Sequence, residues 1–329
     1  MSEQHPEFPA TAAPSSAAAS SSSWERQTLE RLAFAMLEEQ KATRRWRTAM
    51  RLLWLGFLAV VVWLFYGEVP ETATTTTPHT AMIEIRGEIG AGTEVNANSV
   101  LASLRSAFED DGAQAVVLLI DSPGGSPVQA GLINDEIYRL KALHKKPVYA
   151  VVEETCASAA YYIATAADQI YVDKASLVGS IGVLMDGFGF TGLMDKVGVE
   201  RRLLTAGENK GFLDPFSPQS ATQRAYAEDM LKQIHAQFIE VVKKGRGDRL
   251  QITPETFSGL VWNGQKAVEL GLADGLGSLD QVARDVVKAE DIIDYTQREN
   301  VAERLAKRFG AGMGETALKL AHNAGWSLR

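Results

Sequence analysis

The sequence predicts an α/β domain, on three observations. Short apolar runs rich in branched residues alternate with helical periods, two of those runs have almost no polar position, and each of these two leads into a loop of small residues. Ala115 to Ile120 (AVVLLI) and Pro147 to Val152 (PVYAVV) are those runs, the pattern of strands covered on both faces. Alternation of this kind implies right-handed crossovers, with ligands expected beyond the carboxyl ends of the strands.

The elements follow in order. Met82 to Gly87 alternates apolar and polar residues, which suits a strand with one exposed face. After Ala115–Ile120 comes the turn Asp121-Ser122-Pro123-Gly124-Gly125, then a helical period from Val128 to Leu143. Pro147–Val152 leads through Glu153-Glu154-Thr155-Cys156-Ala157 to a small-residue helix over Ser158 to Ala167, and Gln169 to Val172 is a further strand. A strand is expected through Arg202-Leu203-Leu204, then a loop containing Lys210, then a long helix from about Gln219 to Lys244. Shorter helices are expected at Pro254 to Leu260, Gly264 to Leu270 and Ser278 to Ala289.

Both flanks of this domain differ from it in composition. Residues 1–23 are dominated by Ala, Ser, Pro and Thr without hydrophobic period, and are expected to be a disordered cytoplasmic tail. Residues 24–51 repeat Leu29, Leu32, Met36 and Leu37 at helical spacing and end in Arg44, Arg45, Arg47 and Arg51, an amphipathic basic helix. Residues 52–66 (LLWLGFLAVVVWLFY) carry no charge and no polar face, so a single transmembrane helix is expected there. The arginines before it and Glu68 and Glu71 after it place the N-terminus in the cytoplasm and the domain on the outer side of the membrane. A Thr- and Pro-rich tether (67–80) joins this anchor to a domain at 81–290, and 291–329 is expected to be an amphipathic C-terminal tail.

Composition narrows the chemistry. A net charge of −8 on 329 residues offers no broad basic surface, so no nucleic-acid partner is expected. Cys156 is the only cysteine, and no Cys/His set has ligand spacing, so neither a disulfide, a metal nor another cofactor is implied.

Two loops could carry chemistry. Ser158 stands at a strand-to-helix junction, where unpaired amides and the helix dipole favour developing negative charge. By itself such a serine is as well explained as a helix cap, and Pro123-Gly124-Gly125 as a tight turn. Together they offer a nucleophile, with the amides of Gly125 and Ala159 able to converge on an oxyanion. His5, His79, His144, His235 and His322 all lie outside these loops, and Gly-x-Ser-x-Gly is absent. Lys210 sits just beyond the expected strand at 202–204, where it is either a solvated surface lysine or a base held neutral by burial.

With these residues in place the sequence resembles the short-form bacterial signal peptide peptidases of serine protease family S49. The matching positions are Asp121-Ser122-Pro123-Gly124-Gly125, Ala157-Ser158 with Tyr161-Tyr162, Gly179-Ser180-Ile181-Gly182-Val183, Gly207 with Lys210, and Lys244-Gly245-Arg246-Gly247. The resemblance implies a ClpP/crotonase-like domain of repeated β-β-α and βα units, with Ser158 as nucleophile and Lys210 as general base. It also implies Gly125 and Ala159 as oxyanion-hole donors and Ser180 as the hydroxyl that orients the lysine. Peptide substrates, cleaved signal peptides among them, follow from it, as does a homo-oligomer whose active sites form between subunits. Departures are Ala159-Ala160 where glycines are usual, and Cys156, whose expected role is packing. A crotonase-like hydratase or isomerase acting on an acyl thioester, and a non-catalytic membrane scaffold, are the other readings the sequence leaves open.

Overall fold

Three central parallel strands order the molecule: β1 (His79–Arg86), β2 (Ala113–Ser122) and β3 (Val148–Ala157). The computed structural model describes residues 30, 31, 34, 41, 44–62 and 77–298. The chain divides into two units, Met1–Glu71 and Thr72–Arg329. In the first, 44–62 are helical, with Leu52, Trp54, Leu55 and Phe57 exposed. The expected span 52–66 runs past the last described residue of that stretch, and among the described residues no helix is long and apolar enough to cross a membrane. The expected tail at 1–23, most of the tether and the expected C-terminal tail beyond residue 298 lie outside the described residues, while the first residues of that tail, Ile292–Asp294, instead form a strand of the domain.

The second unit is an α/β domain. Val116, Val117, Leu118 and Ile120 are fully buried, as a strand covered on both faces requires. β1 takes in His79 and Thr80, both buried, which the sequence pattern assigns to the tether. Helix α1 (Ala97–Glu109), unforeseen in the sequence, is capped by Asn96 and buries Val100, Leu104, Ala107 and Phe108 on one stripe. Helix α2 (Pro127–His144) starts with Ser126 capping and Pro127 in its first turn, and ends where Lys145 turns left-handed.

β3 is longer than its apolar run because it serves two branches of the sheet. Tyr149–Val152 pair with β4 (Gln169–Val172), which pairs with β7 (Gly275–Leu276). Thr155–Ala157 pair with β5 (Leu177–Gly179), which pairs antiparallel with β6 (Val261–Asn263). Between the branches the register against β2 jumps: Ile120 faces Val152, but Ser122 faces Cys156. This bulge turns the end of β3 away from β4. On the opposite edge, β8 (Ile292–Asp294) pairs parallel with β1.

The remaining helices differ in part from expectation. α3 (Ala159–Ala164) stops short because the Tyr162 carbonyl is taken by Asn134 and Thr165 side chains. α4 (Thr191–Val197) has no buried residue, and α5 (Ala221–Arg246) is the long helix, capped by Ser220. No strand forms at Arg202-Leu203-Leu204: the segment pairs with nothing and Leu204 is 95% exposed, so its branched residues are not there to fill a sheet. Pro254–Leu260 forms turns, since Thr256 bonds the Thr253 amide and competes with a helical ladder. α6 (Gly264–Glu269) is near its expected place, while Ser278–Ala289 begins as the single turn α7 (Leu279–Gln281) and widens into a π-turn over Val282–Val287.

Candidate active site

The site lies where β2 and β3 end. After Ser122 the chain makes a tight turn in which Ser122 Oγ accepts from the Gly124 amide at 3.1 Å. Ile89 brackets the next residue: its amide donates to the Gly124 carbonyl at 2.9 Å and its carbonyl accepts from the Ser126 amide at 2.7 Å. Gly124 and Gly125 have φ of +103° and +143°, and a Cβ on Gly125 would run into the Ile89 carbonyl. A Cβ on Gly124 would lie 2.7 Å from the Ala157 carbonyl oxygen, 2.8 Å from Ser158 Cβ and 2.9 Å from the Ala159 nitrogen. The glycine turn thus packs directly on Ser158, and only glycine permits the approach.

Ser158 itself has φ +54° and ψ −121°, a conformation costly for a residue with a side chain. Its neighbours hold it there. The Ser158 amide donates to the Gly179 carbonyl at 2.8 Å, and its carbonyl accepts from the Tyr162 amide at 3.0 Å. Its hydroxyl makes no capping bond to α3, so the helix-cap reading of this serine fails on geometry. Among the described residues no intramolecular acceptor takes the amides of Gly125 or Ala159, so two N–H groups flank Ser158 unspent.

Ser180 is also at positive φ (52°) and is fixed through its amide to the Leu260 carbonyl at 2.8 Å. A Cβ on Gly179 would meet the Trp262 ring at 2.7 Å, so β5 and β6 close tightly behind this second strained serine. His235, on α5, places Nε2 3.1 Å from the Ile181 carbonyl, which it meets as a donor. In the sequence His235 lies in the long helix, outside the candidate loops. Its spacing gave no sign that it braces the turn carrying Ser180.

The structure therefore gathers Gly125, Ser158, Ala159 and Ser180 into one cluster. Lys210 stands apart within the chain: it is exposed, its amide donates to the Gly207 carbonyl at 3.1 Å, and no hydrogen bond or ion pair of its ammonium joins it to Ser158. Its loop belongs to a long excursion between β5 and α5 that displays Leu184, Phe188, Leu193, Val197 and Leu204 to solvent and, with Met185, Leu203 and Leu213, lines a groove of about 850 Å³ against Leu231 of α5.

Beneath the site, Cys156 is fully buried and burial pushes its thiol far above the ordinary range, which suits packing and not nucleophilic attack. Tyr161, three residues after Ser158, is buried and donates to the Leu272 carbonyl at 2.8 Å. Arg246 locks the adjoining loop, with Nε donating to the Gly271 carbonyl and Nη1 to Asp274, each at 2.8 Å. Among the described residues no group of three or more His, Cys, Asp or Glu could hold a metal ion.

Residues 141–292 match the sequence model of peptidase family S49. A Na+/H+ antiporter NhaA of Brucella melitensis is 46% identical over 203 residues, a match covering 60% of this chain and 28% of that one. A protein of Methanocaldococcus jannaschii described as a protease is 32% identical over 219 residues, covering 63% of this chain and 69% of its own. A protein of Enterococcus faecium described as a signal peptide peptidase is 29% identical over 203 residues, covering 62% and 59%. The shared region is thus less than a third of the Brucella protein.

Proposed function

This chain belongs to peptidase family S49, and from that membership and the site geometry we propose that it is a serine endopeptidase with Ser158 as nucleophile. One observation carries the reading: Ser158 is held at φ +54° against the glycine turn, with the unspent amides of Gly125 and Ala159 on either side. A peptide carbonyl attacked by Ser158 Oγ would develop its negative charge between those two donors.

The base in this proposal is Lys210, acting as a neutral amine. It takes the Ser158 proton as Oγ attacks, passes it to the leaving amine, and then activates the water that releases the acyl-enzyme. Ser180 orients the amine. Lys210 serves the Ser158 of a neighbouring copy, a reading supported by its exposed loop and by the apolar excursion around it, a surface of the kind that marks protein–protein contact. Burial in that contact supplies the desolvation that a neutral lysine needs. Substrates are extended apolar peptides, among them cleaved signal peptides, in line with the name of the Enterococcus relative. Residues 52–66 anchor the enzyme, with its catalytic domain at the outer face of the cytoplasmic membrane; their uncharged apolar run supports this.

The test mixes two inactive variants. Ser158→Ala and Lys210→Ala should each abolish turnover of a short apolar peptide, while oligomers reassembled from both should regain part of it. Full activity in Lys210→Ala alone would remove Lys210 from the mechanism.

A further inference from the structure

We propose that Arg86 is a positioning residue for the active site, a clamp that holds the oxyanion turn and the nucleophile strand at their working separation. This rests on the peptidase reading above for its catalytic meaning. Its structural basis is the place where β3 leaves β4 for β5. There Glu153, Glu154 and Thr155 lie opposite the single residue Asp121, so the ladder between β2 and β3 is interrupted just before both strands deliver their functional residues. From Asp121 it is three residues to Gly124, and from Glu153 five to Ser158. The ladder resumes there at a single pair, Ser122 with Cys156, which leaves the spacing of the two loops resting on few strand contacts.

Arg86 ends β1, beside β2 and one strand removed from β3, and spends all three guanidinium nitrogens at this gap. Nη1 donates to Asp121 Oδ2 at 3.0 Å, Nη2 donates to Glu153 Oε2, and Nε donates to Glu84 Oε1 at 2.7 Å. The next residue continues the clamp, for the Gly87 amide donates to the Asp121 carbonyl at 2.9 Å. Glu153 is gripped from its other side as well, with Ser176 Oγ donating to its carbonyl. Glu84, which steadies the guanidinium, is itself held by Arg298 at 2.8 Å. Exposed ion pairs add little to stability, but a planar fork tying two strand ends sets a distance, and a lysine cannot reproduce it.

The Arg86 side chain is half exposed, so its removal leaves the core intact. In the full-length chain, Arg86→Ala should lower kcat on an apolar peptide by about 10- to 100-fold, the scale of a misplacement near 1 Å, with KM changed less than about twofold. Amide exchange should quicken at 121–126 and 153–159 and nowhere else in the sheet. Arg86→Lys should recover only part of kcat, and millimolar guanidinium should restore Arg86→Ala where equal sodium chloride does not. Unchanged kcat, or exchange that rises across the whole sheet, overturns the clamp. The exchange measurement judges the clamp without activity: a wild type lacking Ser158-dependent turnover, with the two loops loosened in Arg86→Ala, sinks the peptidase reading and supports the clamp.

Discussion

The amide of Ser158 donates to the carbonyl of Gly179 across 2.8 Å, so the Ser158 backbone is tied to the strand that presents Ser180. Two serines at positive φ, each expensive alone, share one hydrogen-bonded frame made of β3, β5 and β6.

Gly124→Ala should disable the site without unfolding the domain. Its Cβ would press within 3 Å of Ser158 Cβ and the Ala159 nitrogen, at a φ of +103°. A strain of about 1–3 kcal/mol and a kcat loss of about 100-fold are expected, read from melting temperature and from peptide turnover. Wild-type kcat would show that the packing of this turn on Ser158 does not matter to turnover.

Replacing His235 by Phe removes the donor at the Ile181 carbonyl while keeping a ring in place. The turn carrying Ser180 should loosen, lowering kcat by about 3- to 10-fold, the worth of one modest hydrogen bond of about 1 kcal/mol. Gln at the same position, able to donate, should retain more activity. Equal rates for the two variants would deny the bond a role.

Arg246 is fully buried and paired with Asp274, whose carboxyl it helps hold below the ordinary range against the opposing effect of burial. Arg246→Met should cost about 3 kcal/mol, at the low end for a broken buried pair because Arg249 still reaches Asp274. Urea unfolding should show a lower midpoint at unchanged slope. A shift below about 0.5 kcal/mol would mean that the pair is structurally idle.

Glu136 links α2 to α1 through Arg105 and pairs with Arg139 within its own helix. Chiefly through the hydrogen bond from Arg139, its carboxyl is pulled from an ordinary 4.5 to about 2. The unfolded chain therefore binds the proton more readily, and the Glu136 contribution is present above about pH 4.5 and lost as pH falls towards 2. Glu136→Gln should flatten the fall in melting temperature between pH 5 and pH 2. An acid limb parallel to that of the wild type would refute the assignment.

Legibility in the sequence followed the reach of each physical signal. β2 is visible because Ala115–Ile120 are buried on both faces and must all be apolar. β5, β6, β7 and β8, two or three residues each, are too short to show any period. Leu203 and Leu204 look like strand residues because they are branched and apolar, yet they face outward. At the site, the glycine turn and Ser158 could be paired from sequence because both follow strands that must be buried. Arg86 could not, since its partners are chosen by the register jump between Ile120 and Ser122, which no local pattern encodes.

The pairing of β1 with β8 sets a schedule for synthesis. The first strand of the domain finds its outer neighbour only after more than two hundred further residues; the Glu84 amide, for one, waits for Thr296, 212 positions later. At ribosomal speeds that is a delay of about 10–40 s, during which β1 is an open edge able to pair with other chains. Arg298, the last member of the network around Glu84 and Arg86, emerges at the very end of that interval. The hydrogen-bonded network of Glu84, Arg86 and Arg298 is therefore complete only once a nascent chain has been made through residue 298.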